Sequence, residues 1–208
     1  METSYGEMII KKVKEAQNQQ TDLYQIENDI NNGFIIVKYE KMAIDEKELL
    51  DGAITMQLPA EFAIMDREQA ENKYPGPDKP DYIYTNEDTT VNLTFSLVNV
   101  GEITNAEISE AAKLMARQMK RLYPAVTIAN IQTIPAAEKE ISYFSFDLPV
   151  IDGDLFNLMF FMEHQNQLLM GTFNCSIYQK KQWQPIIRQM LATIKTARQT
   201  SAEKPESR

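Results

Sequence analysis

Cys175 and His164 are the only cysteine and the only histidine in this 208-residue chain. Nucleophilic catalysis needs a nucleophile within hydrogen-bond reach of a base. Segments 155–163 and 167–177 read as strands joined by the turn His164-Gln165-Asn166-Gln167. In such a hairpin Cys175 lies opposite about residue 156. His164 is then about eight residues along, roughly 26 Å away at ~3.3 Å per residue, so the two cannot meet. A Ser–His–Asp triad would need the same histidine, which the turn places in solvent. One His and one Cys cannot build a zinc site of the N/S type. Asp152-Gly153-Asp154 lacks the EF-hand spacing and its closing Glu and reads as a hairpin turn. Neither G-x-G-x-x-G nor G-x-x-x-x-G-K-[ST] occurs, so no phosphate-binding loop is expected. No cofactor and no metal follow from these residues, and the chain reads as a non-enzyme.

Carboxylates are the remaining chemical resource, with 30 acids against 21 bases and a net charge of −9. Glu138 with Glu140, or Asp152 with Asp154, has the residue types for general acid–base work. Nothing in the spacing selects a pair over a solvated face, so a small carboxylate-dependent hydrolase stands as the alternative reading. An acidic chain repels phosphate backbones, which argues against nucleic acid as partner. Lys180, Lys181, Arg188, Lys195 and Arg198 fall on one helix and its flanks and read as its solvated face.

The stretch 72–85 combines Tyr74, Tyr82 and Tyr84 with Pro75, Pro77 and Pro80. Prolines lower the entropy lost on ordering a loop, and tyrosines supply contact area. These three tyrosines are the candidate protein-interaction residues. The plainer reading is that they pin the loop to its own sheet. Met115, Met119 and Met190 lie on helix stripes and read as core; a Met-lined groove of the chaperone kind is the functional alternative.

Three regions position these residues. Residues 1–52 form an acidic, Gln/Asn-rich extension of helix plus strand. Its helix is signalled by Met8, Ile9, Val13 and Ala16, its turn by Asn31-Asn32-Gly33, and its strand by Phe34–Tyr39, with a helical or irregular piece over 45–51. Residues 53–196 carry the strong periodicity, and 197–208 read as a disordered tail. The core opens with alternation at Ile54, Met56 and Leu58, closed by Pro59. A long connection over 60–81 follows, its prolines forbidding helix and central strand at 73–81. A hairpin comes next, Tyr82–Thr85 with Val91–Leu97, in which Val91, Leu93, Phe95 and Leu97 face the core. Thr104 and Glu107 have capping-box spacing ahead of a helix over 105–122 with a stripe of Ile108, Ala111, Ala112, Met115, Met119 and Leu122. Strands are expected at 127–134, 140–148, 155–163 and 167–177. A last helix is expected over 180–196, with Trp183, Ile186, Ile187, Met190, Leu191 and Ile194 as its stripe and Pro185 in its first turn. The fold class is therefore α+β, an antiparallel sheet flanked by helices.

The opening Ile54-Thr55-Met56-Gln57-Leu58-Pro59 with Phe62, and the ending Thr172-Phe173-Asn174-Cys175, Trp183-x-Pro185 and Met190-Leu191-x-x-Ile194, resemble the PsbP/Mog-like family, in particular its bacterial DcrB-like branch. The resemblance covers about residues 53–196 and rests on structural motifs. It implies an α/β/α sandwich around an antiparallel sheet. It also implies a binding module, since the family's members include an extrinsic photosystem subunit, a Ran-binding transport factor and chaperones of secreted bacterial effectors. It supplies no catalytic residues. The expected function is thus a non-enzymatic protein-binding, adaptor- or chaperone-like module with another protein as partner. Self-association as a structural subunit, a homo-oligomer, is a further alternative. No apolar run reaches the roughly 18 residues of a membrane span and no signal-type segment opens the chain. The single cysteine excludes an intramolecular disulfide, and the expected location is the cytoplasm.

Overall fold

The computed structural model describes residues 27–150 and 153–197; the expected helix at 8–16, Asp152 and nearly all of the polar tail lie outside them. The strands are β1 Phe34–Val37, β2 Glu40–Leu49, β3 Ile54–Pro59, β4 Ala63–Ile64, β5 Tyr82–Thr85, β6 Asn92–Val98, β7 Gln132–Ala136, β8 Lys139–Val150, β9 Gly153–His164, β10 Gln167–Ser176 and β11 Lys195–Thr196, with burial alternating along β1, β3 and β10 and continuous along most of β9. The helices are α1 Arg67–Lys73, α2 Ile108–Leu122 and α3 Lys180–Ala192. The strands form two antiparallel sheets, a small one in the order β1-β2-β3-β11 and a large one in the order β4-β5-β6-β10-β9-β8-β7. The fold class is α+β.

The two faces of the large sheet are covered by different layers. On one face, Val91, Leu93, Phe95, Phe156, Leu158, Phe160 and Phe173 pack with the α3 stripe and with Ile35, Ile54, Met56 and Leu58 of the small sheet. On the other, Phe144, Phe146, Met159 and Phe161 pack under Ile108 and Ala112 of α2. Helices thus sandwich the large sheet. At the centre Gly171 of β10 stands opposite Phe160 of β9 and Phe95 of β6. An added Cβ at Gly171 would sit 2.0 Å from the Phe160 ring, so only glycine leaves room for that ring.

Several expectations change. Residues 45–51 are mostly strand: Asp45 to Leu49 of β2 pair with Leu58 to Ile54 of β3, and this pairing overrides the helix-forming composition of the charged stretch. The strand expected to run to Tyr39 stops at Val37, because Lys38 and Tyr39 take left-handed φ of 50° and 69° to turn the hairpin into β2. The connection 60–81 contains β4 and α1, the latter capped by the Asp66 side chain, which accepts from Gln69 N–H. The strand expected at 127–134 begins at Gln132, with Ile128 contributing only an isolated bridge to Phe146. Leu97 and Leu122, assigned to buried faces, are 46% and 72% exposed: each lies at the end of its element, beyond the opposing layer. The last helix stops at Ala192 and the chain returns as β11 against β3. Pro185 lies in the second turn of α3 and not the first: the helix begins at Lys180, after a 3-10 turn over Ile177–Gln179, and runs on past the proline to Ala192. The capping box of Thr104 and Glu107 and the buried stripe of α3 are as expected.

Candidate functional site: an acidic cleft at one end of the sheets

Four segments meet at one end of the molecule. The β1–β2 turn brings Lys38 and Glu40. The β3–β4 loop brings Glu61. The β5–β6 turn brings Asn86, Glu87 and Asp88. The start of α3 brings Gln179 and Trp183. Together with Val37, Met42 and Val91 they line a cleft of about 330 Å³.

Each segment is held by local chemistry. Lys47 donates to Ala60 O at 2.6 Å and Phe62 O at 2.5 Å, clamping the loop on both sides of Glu61. Phe62 is buried against Trp183, their ring centroids 6.0 Å apart, and Phe173 meets the same indole at 5.5 Å. In the β5–β6 turn, Asn86 Oδ1 accepts from Val91 N–H at 2.9 Å. Asp88 Oδ1 accepts from Thr90 N–H and Oγ1–H at 3.1 and 2.6 Å. Lys73, at the end of α1, donates to Thr89 O. Gln179 and Trp183 stand four residues apart on one face of the α3 entry.

The cleft divides by depth. Its floor is buried: Val37, Val91 and Trp183 are each 1% exposed and Gln179 6%. Its rim is exposed and charged, four carboxylates (Glu40, Glu61, Glu87 and Asp88) against Lys38. Two floor groups are polar, and among the described residues neither Gln179 Oε1 nor Trp183 Nε1 has a hydrogen-bond partner. Buried polar groups are nearly always satisfied. The electrostatics follow the crowding of acids. Burial pushes the Glu61 carboxyl above its ordinary value, and Glu40, Asp88 and Glu87 add to the shift against the opposing charge of Lys47. Asp88 is held low, first by the Thr90 hydroxyl and then by Thr90 N–H, Asn86 and the charge of Lys38, all against its partial burial.

The residues singled out from sequence lie elsewhere. Tyr84 is buried; its hydroxyl accepts Leu50 N–H at 3.0 Å and its ring meets the edge of Phe95. Tyr82 is half-buried and donates to Asp51 Oδ2 at 2.6 Å. With Pro80, Asp81 and Arg67 it lines a second cleft of about 560 Å³. Tyr74 packs on Met65, Ala70 and Ile83. Cys175 pairs with Phe156 across the β9–β10 hairpin while His164 pairs with Gln167 at its far end; the register that separates them is the expected one. His164 is not solvated: it is 5% exposed, because it is the last residue of β9 and the turn itself is made by Gln165 and Asn166 at left-handed φ. Glu138, Glu140 and Asp154 are exposed. Among the described residues no group of three His, Cys, Asp or Glu could hold a metal ion, and no helix is long and apolar enough to cross a membrane. The cleft residues carried little signal in the sequence. Glu87 and Asp88 read as ordinary turn acids, and Trp183 as one member of a core stripe. The polar atom of a lone tryptophan within that stripe was the available pointer.

No protein-family model matches the chain, and no curated protein does. Solved structures do. Cyanobacterial PsbP (CyanoP) from Synechocystis sp. PCC 6803 aligns with a TM-score of 0.52 at 8% identity, over 74% of this chain and 92% of that one. The Ran-binding protein Mog1p of Saccharomyces cerevisiae aligns with a TM-score of 0.50 at 12% identity, over 74% of this chain and 96% of that one. The chain has the PsbP/Mog-like fold. In this PsbP/Mog-like chain the large sheet and α2 and α3 form the sandwich, and the acidic cleft opens where the small sheet and α3 meet its end. A fold shared at this identity specifies architecture and leaves function to the site.

Proposed function

We propose that this PsbP/Mog-like chain is a non-enzymatic protein-binding module, adaptor- or chaperone-like, that engages its partner through the acidic cleft. The observation carrying the reading is the pair of buried polar groups without partners, Gln179 Oε1 and Trp183 Nε1, beneath a rim of four carboxylates. A complex that desolvates the rim and gives Gln179 Oε1 a donor gains both specificity and energy. The rim's charge favours a protein with a basic surface over a nucleic acid. Tyr82, with Tyr74 and Tyr84, belongs to the proposal as a second contact region at the cleft lined from the other end of β5.

The test is capture with cross-linking in the native cell, comparing the wild type with Glu61→Gln/Glu87→Gln/Asp88→Asn. A partner recovered by the wild type and reduced about tenfold or more by the variant is the expected result. Equal recovery by both removes the cleft from the proposal.

A second reading, a carboxylate-dependent hydrolase, draws on one observation: Glu61 is pushed up and Asp88 down within one cleft, the split that separates a general acid from its base. Against it, Asp88 Oδ1 is already engaged by Asn86 and Thr90. Hydrolysis of model esters and glycosides that disappears in Glu61→Gln would favour this reading.

A further inference from the structure

The same cleft has a shape and a donor–acceptor balance that narrow what enters it. We infer that it is a socket for one arginine side chain presented by the partner, a deepening that rests on the protein-binding reading above. Three features lead there.

The first is the spacing of the acids. Glu40, Glu61, Glu87 and Asp88 come from three separate segments, yet among the described residues no three acids converge closely enough to hold a metal ion. Dispersed carboxylates suit a cation whose charge and donors are themselves spread out. A guanidinium presents five N–H donors in a fixed planar fork, whereas an ammonium is a compact, strongly hydrated point charge.

The second is the floor. Gln179 Oε1 is an acceptor without a donor, on a side chain only 6% exposed. Contact with that buried oxygen requires the Gln179 side chain to turn into the cleft, and a weakly hydrated guanidinium loses less on leaving water there than an ammonium does. Around it, Val37, Met42 and Val91 provide the apolar wall that a three-carbon stem covers. The volume of about 330 Å³ has room for one long side chain and excludes a folded element.

The third is the field. Glu61 is destabilised as an anion by burial and by its three acidic neighbours, with Lys47 alone opposing. An entering cation relieves that repulsion. Lys38 is the one basic residue of the lining among the described residues and competes for the same field. Arginine has no acceptor to offer Trp183 Nε1–H, so the indole reports occupancy without driving it.

Trp183 is the only tryptophan of the chain, so its fluorescence and its indole N–H resonance observe the cleft directly. The experiment titrates the full chain at low ionic strength with three capped tripeptides, Gly-Arg-Gly, Gly-Lys-Gly and Gly-citrulline-Gly. Citrulline keeps the shape of arginine and lacks its charge. The expected result is a saturable Trp183 response to the arginine peptide, about threefold or more weaker for lysine and absent for citrulline. Glu61→Gln should weaken arginine binding about three- to tenfold, and Lys38→Ala should tighten it about twofold or more. Equal responses to arginine and citrulline, a lysine response as strong as arginine's, or no response at all overturns the socket. The outcomes also separate the two readings. A silent Trp183 combined with loss of the cross-linked partner in the triple variant keeps the cleft as the partner site and rejects the arginine socket. An arginine response combined with unchanged partner capture keeps the socket and rejects its use in that complex.

Discussion

Cys175 and Glu61 illustrate how position decides what a reactive group can do. Cys175 lies in β10 at 0% exposure, and burial, helped by the nearby Asp147 charge, pushes its thiol up to about 12. A thiol held that high is neither nucleophile nor metal ligand near neutrality. The native protein should therefore be inert to a thiol-reactive dye near about pH 8 and react with one equivalent once denatured. A fast native reaction, followed by absorbance, would contradict the burial described here. Glu61, in contrast, sits on an exposed rim where its carboxyl meets three others. The chemistry available to the molecule is at its rim, and the one thiol is sealed in the core.

At the level of elements, the contact between β9 and β10 carries a steric constraint on one residue. Phe160 occupies the space a side chain at Gly171 would need, and its ring meets Phe95 edge-on at 5.5 Å. Gly171→Ala should cost about 1–3 kcal/mol, the usual range for overpacking a close-packed core. The measurement is urea denaturation, with a lowered midpoint at unchanged slope. Retained stability would mean that the Phe160 ring has an alternative site. The same strands show what the sequence made legible. Elements with a long apolar run or helical stripe, β6, β8, β9, β10, α2 and α3, could be read from residue types, because each packs against a covering layer, on both faces in the case of β9. The elements missed are those held by pairing or by short-range caps. β2 has exposed acids and lysines along most of its length and is a strand because β1 pairs with its first part, Glu40–Ala43, and β3 with the rest, Ile44–Leu49. The two-residue strands β4 and β11 are too short for any periodic signal. α1 buries only Ala70, so its seven residues show no stripe. The cleft was illegible for a related reason: its carboxylates come from three turns or loops distant in sequence, and only the folded sheets bring them together.

For the molecule as a whole, the far end of the large sheet holds an acid-sensitive cluster. Glu163 is buried and pairs with Lys139, and it accepts Asn166 N–H at 2.7 Å. Burial pushes its carboxyl up, but the Lys139 bond, the Asn166 N–H and the neighbouring charges outweigh this and hold it low. Burial, with the Lys139 charge, also holds His164 below its ordinary value against the pull of Glu163. Both folded-state values are depressed, so both groups bind protons more readily in the unfolded chain. The stability they contribute is full above about pH 6.5. It falls first as His164 protonates in the unfolded state, and again as pH passes down through the carboxylate range. His164→Gln should flatten the upper part of the stability–pH curve. Glu163→Gln should lower stability by about 1–3 kcal/mol at neutral pH, through loss of a charge-assisted buried bond, and flatten the lower part. Thermal unfolding across pH tests both, and parallel curves for wild type and His164→Gln would refute the histidine's role.

The return of the chain through β11 has a kinetic consequence. Thr193 Oγ1 accepts Gln57 N–H across 136 positions, and Lys195 pairs with Glu46 across 149. Contacts of such separation return their energy only after a long loop has been closed. The hairpin of β9 and β10, joined by a two-residue turn, meets no such delay. The small sheet, and with it the cleft it helps to wall, therefore completes late in folding, after the large sheet has given it a surface to dock on.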